Sequence, residues 1–364
     1  MPTHPLRSTA RPRQTHLKEK PSMSSTRTLT TARGTRTSRA TAWFLVPALA
    51  AVLAVGGCAG GTSAADEPAG SSAEAGTRTV ETAFGTVDIP ADPQRVVALE
   101  GGAGPLLEAG IVPVATADGD WAESYLPEEF EQVADLPIVM GADGWDYEKI
   151  ASLDPDLIVG FVRGGKEEEL SAEKKADFDK LSQIAPTVLV RATGSATVKD
   201  ASVAIASALG AGEDAEATKA EYDARVAEIK ETYGDVIAAN TFAGLDSFEE
   251  VTVYSQISWL GGILADIGAP LPQVVAEETA ENGVFLSAEQ LGQVADATVV
   301  LTEQTVDGRP GPGAEELEAT STYQSLPAVT AGHAYGIRYF FADRYSLALD
   351  VLDQLEVVLK DLQG

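Results

Sequence analysis

Cysteine is almost absent: the 364-residue chain has one, Cys58. A lone cysteine excludes disulfides within the mature chain and any thiolate metal cluster. Histidine is scarce too. There are three, and only His333 lies beyond residue 57. No H-E-x-x-H, G-x-S-x-G or D-x-D-x-D-G spacing occurs, so metalloprotease, serine-hydrolase and EF-hand chemistries have no motif to rest on. Positive charge is short as well, with 26 Lys and Arg against 55 Asp and Glu. Residues 1–57 hold nine of those basic residues and one acidic residue. The remainder sets 17 basic against 54 acidic, a net charge of −37. Such a body repels nucleic acid and anionic lipid, and neither is expected as a partner of the fold.

What is present begins with an export pattern. Arg27, Arg33, Arg36 and Arg39 form a basic stretch, and an apolar run follows over residues 42–55. That run is too short and wrongly flanked to span a bilayer. It ends at Val55-Gly56-Gly57-Cys58, which resembles the lipobox of bacterial lipoproteins, with the Cys58 thiol as lipid acceptor. Residues 1–57 therefore read as a lipoprotein-type signal peptide, with Met23 as a start of more usual length. Residues 58–78 are rich in Gly, Ser, Ala and Glu and read as a flexible tether.

Residues 197–233 read as two helices. Val198, Ser202, Ile205 and Leu209 recur at helical spacing, as do Tyr222, Val226, Ile229 and Tyr233. Gly210 and Gly212 break the run as a helix C-cap would. On either side the chain echoes itself. Tyr147-Glu148-Lys149-Ile150-Ala151-Ser152-Leu153 precedes a turn and the strand Leu157-Ile158-Val159. Ala288-Glu289-Gln290-Leu291-Gly292-Gln293-Val294 precedes a turn and Val299-Val300-Leu301. Leu106-Leu107-Glu108-Ala109-Gly110 matches Leu264-Ala265-Asp266-Ile267-Gly268 in the same order. Two echoes predict two α/β lobes of one plan, each Rossmann-like, over residues 79–196 and 234–364, joined by the helical spine.

Gly101, Gly102 and Gly104 follow a strand, but they lack the G-x-G-x-x-G spacing of a dinucleotide loop, and tight turning at a lobe edge is the better reading. Further strands are expected at residues 112–115, 186–190, 250–254 and 333–338, and helices at 166–181 and 346–362, the last capped by Ser346. Ser287 and Gln290 form a capping box. Trp145, Arg163, Tyr254, Trp259, Arg338, Tyr339, Arg344 and Tyr345 all fall in loops or at strand ends, where open α/β sheets bind ligands. Arginines so placed in a −37 body suggest a local positive pocket for an anionic ligand, with aromatic walls. The competing reading is that Arg338 and Arg344 pair with surface carboxylates.

The motifs Phe84-Gly85-Thr86-Val87-Asp88-Ile89-Pro90, Pro93-Gln94-Arg95-Val96-Val97, Leu153-Asp154-Pro155-Asp156-Leu157-Ile158, Leu181-Ser182-Gln183-Ile184-Ala185-Pro186-Thr187-Val188 and Leu326-Pro327-Ala328-Val329 resemble those of lipid-anchored solute-binding proteins of bacterial ABC importers for ferric siderophores, haem and cobalamin. The resemblance covers roughly residues 84–362. It implies a rigid connecting helix with limited hinge closure, an iron(III)-siderophore as ligand, no reaction and no resident cofactor or metal. It also implies a monomer held at the extracytoplasmic side of the cell membrane by a lipid on Cys58. By motif it assigns permease docking to Glu148 and Glu289. The ligand residues then expected are Trp145, Arg163, Tyr254, Trp259, Arg338, Arg344 and Tyr345. Glu100 and the glycines beside it stand where the family often carries Ser, Thr or an aromatic, and Tyr323 stands where Trp is common.

Three alternatives stay open on sequence. Haem or cobalamin could be the ligand, with His333, Tyr339 or Met140 as axial candidates for haem. A carboxylate-based metal-dependent hydrolase and a purely structural lipoprotein are the others.

Overall fold

The computed structural model describes residues 76–364 apart from 118–121, 142–143, 166–168 and 249. The signal segment, Cys58 and residues 58–75 of the tether lie outside the described residues, while Thr77 and Arg78, expected in the tether, already pair in a strand with Pro90 and Ile89.

Strands β1 (Thr77–Thr82) and β2 (Gly85–Pro90) make an antiparallel hairpin that turns at Gly85, φ 109°. The first lobe continues through β3 (Val96–Ala98), α1 (Ala103–Glu108), α2 (Pro127–Val133), the two-residue strands β4 (Met140–Gly141) and β5 (Gly144–Trp145), α3 (Tyr147–Ser152), β6 (Leu157–Arg163), α4 (Ala172–Leu181) and β7 (Thr187–Ala192). Its sheet is parallel in the order β3-β6-β7. The strand expected at 112–115 survives only as single bridges, Val97 to Ala115 and Thr116 to Ile138. Each strand of this sheet is buried along nearly its whole length, as covered parallel sheets require.

The spine is α5 (Val198–Leu209) followed by α6 (Gly212–Ala238). Gly210 takes the left-handed conformation that ends α5, φ 89°. The predicted stripes are the buried ones: Val198, Ser202, Ile205 and Leu209 on α5, and Tyr222, Ile229 and Tyr233 on α6. The second helix runs five residues past the expected end, with Ile237 also buried.

The second lobe holds β8 (Phe242–Ser247), β9 (Val251–Tyr254), α7 (Trp259–Asp266), β10 (Gly283–Leu286), β11 (Val299–Gln304), α8 (Pro312–Glu318), α9 (Ser321–Gln324), α10 (Pro327–Ala331), β12 (Ala334–Arg338) and α11 (Tyr345–Gln363). Its sheet runs β10-β9-β8-β11-β12. Strands β8, β11 and β12 are parallel; β9 and β10 are antiparallel. Strands β8 and β10 are not foreseen by the sequence pattern. Helix α11 buries Leu347, Val351, Leu352, Leu355, Val358 and Leu359, a three-and-four spacing worth about 1.5–3 kcal/mol per side chain. Across from it, Arg225 on α6 meets Glu356 at 2.7 Å and Asp353 at 3.1 Å, and Tyr233 donates to Glu356 at 3.0 Å.

The echoes are real. Gly110 and Gly268 both turn left-handed, φ 74° and 79°. Each is followed by the same closing bond, Ile111 N to Leu106 O at 2.8 Å and Ala269 N to Leu264 O at 2.9 Å. Asp156 binds the amides of Gln94 and Arg95 at 2.7 and 2.9 Å, and Asp296 binds that of Gln273 at 2.8 Å. Two details differ from expectation. The Ala288–Val294 turn is 3-10 rather than α-helical, and Ser346 does not cap α11: its hydroxyl donates to Glu108 Oε1 at 2.5 Å.

Candidate functional site

The carboxyl ends of the first lobe's parallel strands and the start of α7 in the second lobe bring one group of side chains together. Strand β3 leads into Glu100, and β6 ends at Arg163. The Arg163 guanidinium donates to Glu100 Oε1 at 2.9 Å and to Ser195 Oγ at 2.9 Å. It sits over the rings of Phe161, 5.0 Å, and Trp259, 5.5 Å. Trp259 is the first residue of α7, whose start is fixed by Ser258 accepting from Gly261 N at 3.1 Å. Arg163 thus bridges the lobes, held between one aromatic of each. Beside this lies a 310 Å³ pocket lined by Glu100, Trp145, Phe161, Arg163 and Lys174 among others.

The three glycines after β3 have packing roles. A Cβ on Gly101 would fall 1.9 Å from the Phe161 ring at a φ of +67°. One on Gly102 would fall 2.6 Å from Val159 O, and one on Gly104 2.5 Å from Arg344 Nη1. They let the strand end, the aromatic ring and the guanidinium approach the backbone.

The second lobe supplies an aromatic wall. Phe341 stands edge-on to Trp259 and Tyr254, with centroids 5.2 and 5.9 Å apart, and Phe340 lies 5.2 Å from Tyr254. The run Tyr339-Phe340-Phe341 leaves β12 through a left-handed Tyr339, φ 56°, an uncommon conformation for a bulky residue.

On the same sheet face as Tyr254, at the carboxyl ends of neighbouring parallel strands, stand Asp246 of β8 and Glu303 of β11. Asp246 is fully buried and Glu303 6% exposed. Burial raises Asp246. Burial, then the charge of Asp246, then that of Glu123 in the other lobe push Glu303 up to about 7.

The remaining expected site residues are placed elsewhere. Arg338 is half-exposed and paired with Asp350 at 3.3 Å. Arg344 is wholly buried among Glu108, Glu129 and Asp343. Tyr345 is buried at the spine, where it donates to Asp200 at 2.6 Å and accepts from Lys219 at 2.8 Å. Every arginine expected to neutralise an anionic ligand has a carboxylate partner, because carboxylates outnumber cations throughout the body. Met140 pairs with Trp145 in the β4–β5 hairpin, and His333 precedes β12, at the strand edge opposite Arg338. Glu148 and Glu289 are exposed in the first turns of their helices, and Glu289 is held below the usual carboxylate range by its own amide and the Ser287 hydroxyl. Among the described residues no cluster of three or more His, Cys, Asp or Glu side chains is placed to hold a metal ion.

Sequence reasoning did not select Phe161, Ser195, Phe340, Phe341, Asp246 or Glu303. The aromatic run after the last strand and the acid closing β11 were the available signals.

Residues 100–339 match the family described as periplasmic binding protein. The chain is similar to the solved siderophore periplasmic binding protein from the fuscachelin gene cluster of Thermobifida fusca: identity is 37%, TM-score 0.67, covering 75% of this chain and 98% of that one. It is 27% identical over 325 residues to the iron(3+)-hydroxamate-binding protein FhuD of Bacillus subtilis, covering 86% of this chain and 95% of FhuD. It is 25% identical over 282 residues to the iron(3+)-hydroxamate-binding protein YxeB of the same organism, covering 76% and 82%.

Proposed function

The chain belongs to the periplasmic binding protein family, and from that membership we propose that it captures a ferric siderophore between its lobes and delivers it to the permease of an ABC importer. The observation that carries this reading is the Arg163 guanidinium stacked between Phe161 of one lobe and Trp259 of the other, at the strand ends where open α/β sheets bind ligands. Relatives named for siderophore and ferric-hydroxamate binding support the choice of ligand. Trp145, Arg163, Tyr254 and Trp259 line the site and pack the edges of the chelate. The protein binds and releases without catalysing a reaction, and the iron arrives as cargo within the siderophore.

The rest of the reading follows from placement. Glu148 and Glu289, exposed on corresponding turns of the two lobes, dock to the permease. A lipid on Cys58 holds a monomer at the extracytoplasmic face of the membrane. The lobes lie before α5 and after α6. They close little on binding, because α6 is a continuous 27-residue helix and the buried ion pairs of Arg344 cross between the lobes.

The test is uptake of iron-55 siderophore by cells lacking and then regaining the gene. Uptake of at least one ferric siderophore falls in its absence and returns with it. Unchanged uptake of every siderophore would refute the reading.

A further inference from the structure

Among the described residues, the acids at the end of the second-lobe sheet pair with no Lys, Arg or His side chain. Asp246 Oδ1 accepts from Ser247 N at 2.8 Å, while Oδ2 is buried with no hydrogen-bond partner. Glu303 is 94% buried, the complement of its 6% exposure, and receives no side-chain hydrogen bond among the described residues. A buried carboxylate without a donor is costly, and native chains keep one where function requires it.

The surrounding backbone is shaped around the pair. A Cβ on Gly311 would stand 2.1 Å from Glu303 Oε2, and one on Gly313 would stand 2.2 Å from Asp246 Oδ1. The glycines thus make room for acids that no cation among the described residues neutralises. Tyr254 of the aromatic wall feels both charges, and burial followed by those charges holds its phenol protonated far above neutrality. Of the two cations lining the pocket beside the lobes' junction, Arg163 is already taken by Glu100, and Lys174 donates to the Arg163 carbonyl.

We propose that Glu303, with Asp246 behind it, is an anionic subsite that receives an ammonium or guanidinium group of the ligand, so that the preferred cargo is a ferric siderophore carrying a free cationic group. This rests on the siderophore reading and narrows it. Two carboxylates beside a phenol suit an organic cation, which brings several N–H donors, better than a metal ion, which would need further ligands.

The experiment is calorimetric titration of the purified protein with three iron trihydroxamates sharing one chelate: ferrioxamine B, with a free ammonium, and its N-acetylated and N-succinylated derivatives, neutral and anionic at that position. Affinity is expected to fall at least about tenfold from the ammonium form to the acetylated form, and further to the succinylated one. Glu303→Gln should remove most of that discrimination and Asp246→Asn part of it, with a much smaller change in affinity for the acetylated form than for the ammonium form. At pH 7 the ammonium form alone should release protons, read from the dependence of the heat on buffer ionisation enthalpy, because the arriving cation displaces the proton held near Asp246, Glu123 and Tyr254. Equal affinity for the three forms, equal losses for all three in the variants, or a preference for anionic chelates such as ferric enterobactin overturns the inference and leaves the proposed function standing. Silence toward every ferric chelate overturns both.

Discussion

Arg344 Nε lies 3.1 Å from Glu108 Oε1, an ion pair joining the start of the last helix to the end of the first. Glu129 of the first lobe also meets the guanidinium, Asp343 lies 3.1 Å from it, and the Ser124 carbonyl accepts from it at 2.9 Å. The lobes are therefore locked at one point by a charge removed from water.

Removing the arginine from such a cluster strands the acids. Arg344→Met should destabilise the fold by about 3–5 kcal/mol at neutral pH, measured by urea denaturation. Burial already raises Glu108 and Asp343 against the pull of Arg344. Without the arginine both rise further, so the variant should regain part of its stability on mild acidification. A loss that does not change with pH would show that packing, not charge, holds the joint.

Glu303 predicts an opposite dependence from that of an ordinary paired carboxylate. Its value is raised from 4.5 to about 7, so the folded chain keeps a proton that the unfolded chain gives up between those values. The stability this contributes is full below about 4.5 and disappears as pH rises through about 7. Glu303→Gln should flatten that slope and make the unliganded protein more stable at pH 8. Thermal melts across pH 4–8 on both proteins check this, and parallel curves would contradict it.

Gly101 is a positional test of the site floor. Alanine there meets a left-handed backbone and the Phe161 ring at once. Gly101→Ala should cost about 1–3 kcal/mol and displace Phe161 from Arg163. Siderophore affinity should fall with it, read by calorimetry. A variant of unchanged stability and affinity would remove Phe161 from the account.

Glu148 and Glu289 should separate docking from binding. Glu148→Lys or Glu289→Lys should leave ligand affinity unchanged while lowering iron-55 uptake in cells several-fold, and the double variant should lower it more. Normal uptake by the double variant would remove both residues from the permease contact.

The two-lobed plan was legible because the chain repeats itself. Glycines at 110 and 268 end helices alike, and Asp156 and Asp296 tie matching turns. Strand β8 was hidden because Gly244, Asp246 and Ser247 break its apolar run, and half of the anionic subsite went with it. Arg163 was legible as a strand-end residue, and Trp259, expected at the end of a loop, opens α7 instead. Arg344 was not: a charged residue in a loop reads as exposed, and only three-dimensional packing brings Glu108 and Glu129, more than 200 positions away, to cover it. Tyr345 failed for the same reason, since its partner Asp200 lies on the spine.

The most direct measurement is tryptophan fluorescence of the purified protein during titration with ferric siderophores of the hydroxamate, catecholate and carboxylate classes, and with haemin. Saturable quenching by a ferric siderophore at sub-micromolar concentration is expected, much reduced in Trp259→Phe, with no comparable response to haemin. Quenching by haemin alone, or silence from every siderophore, would contradict it.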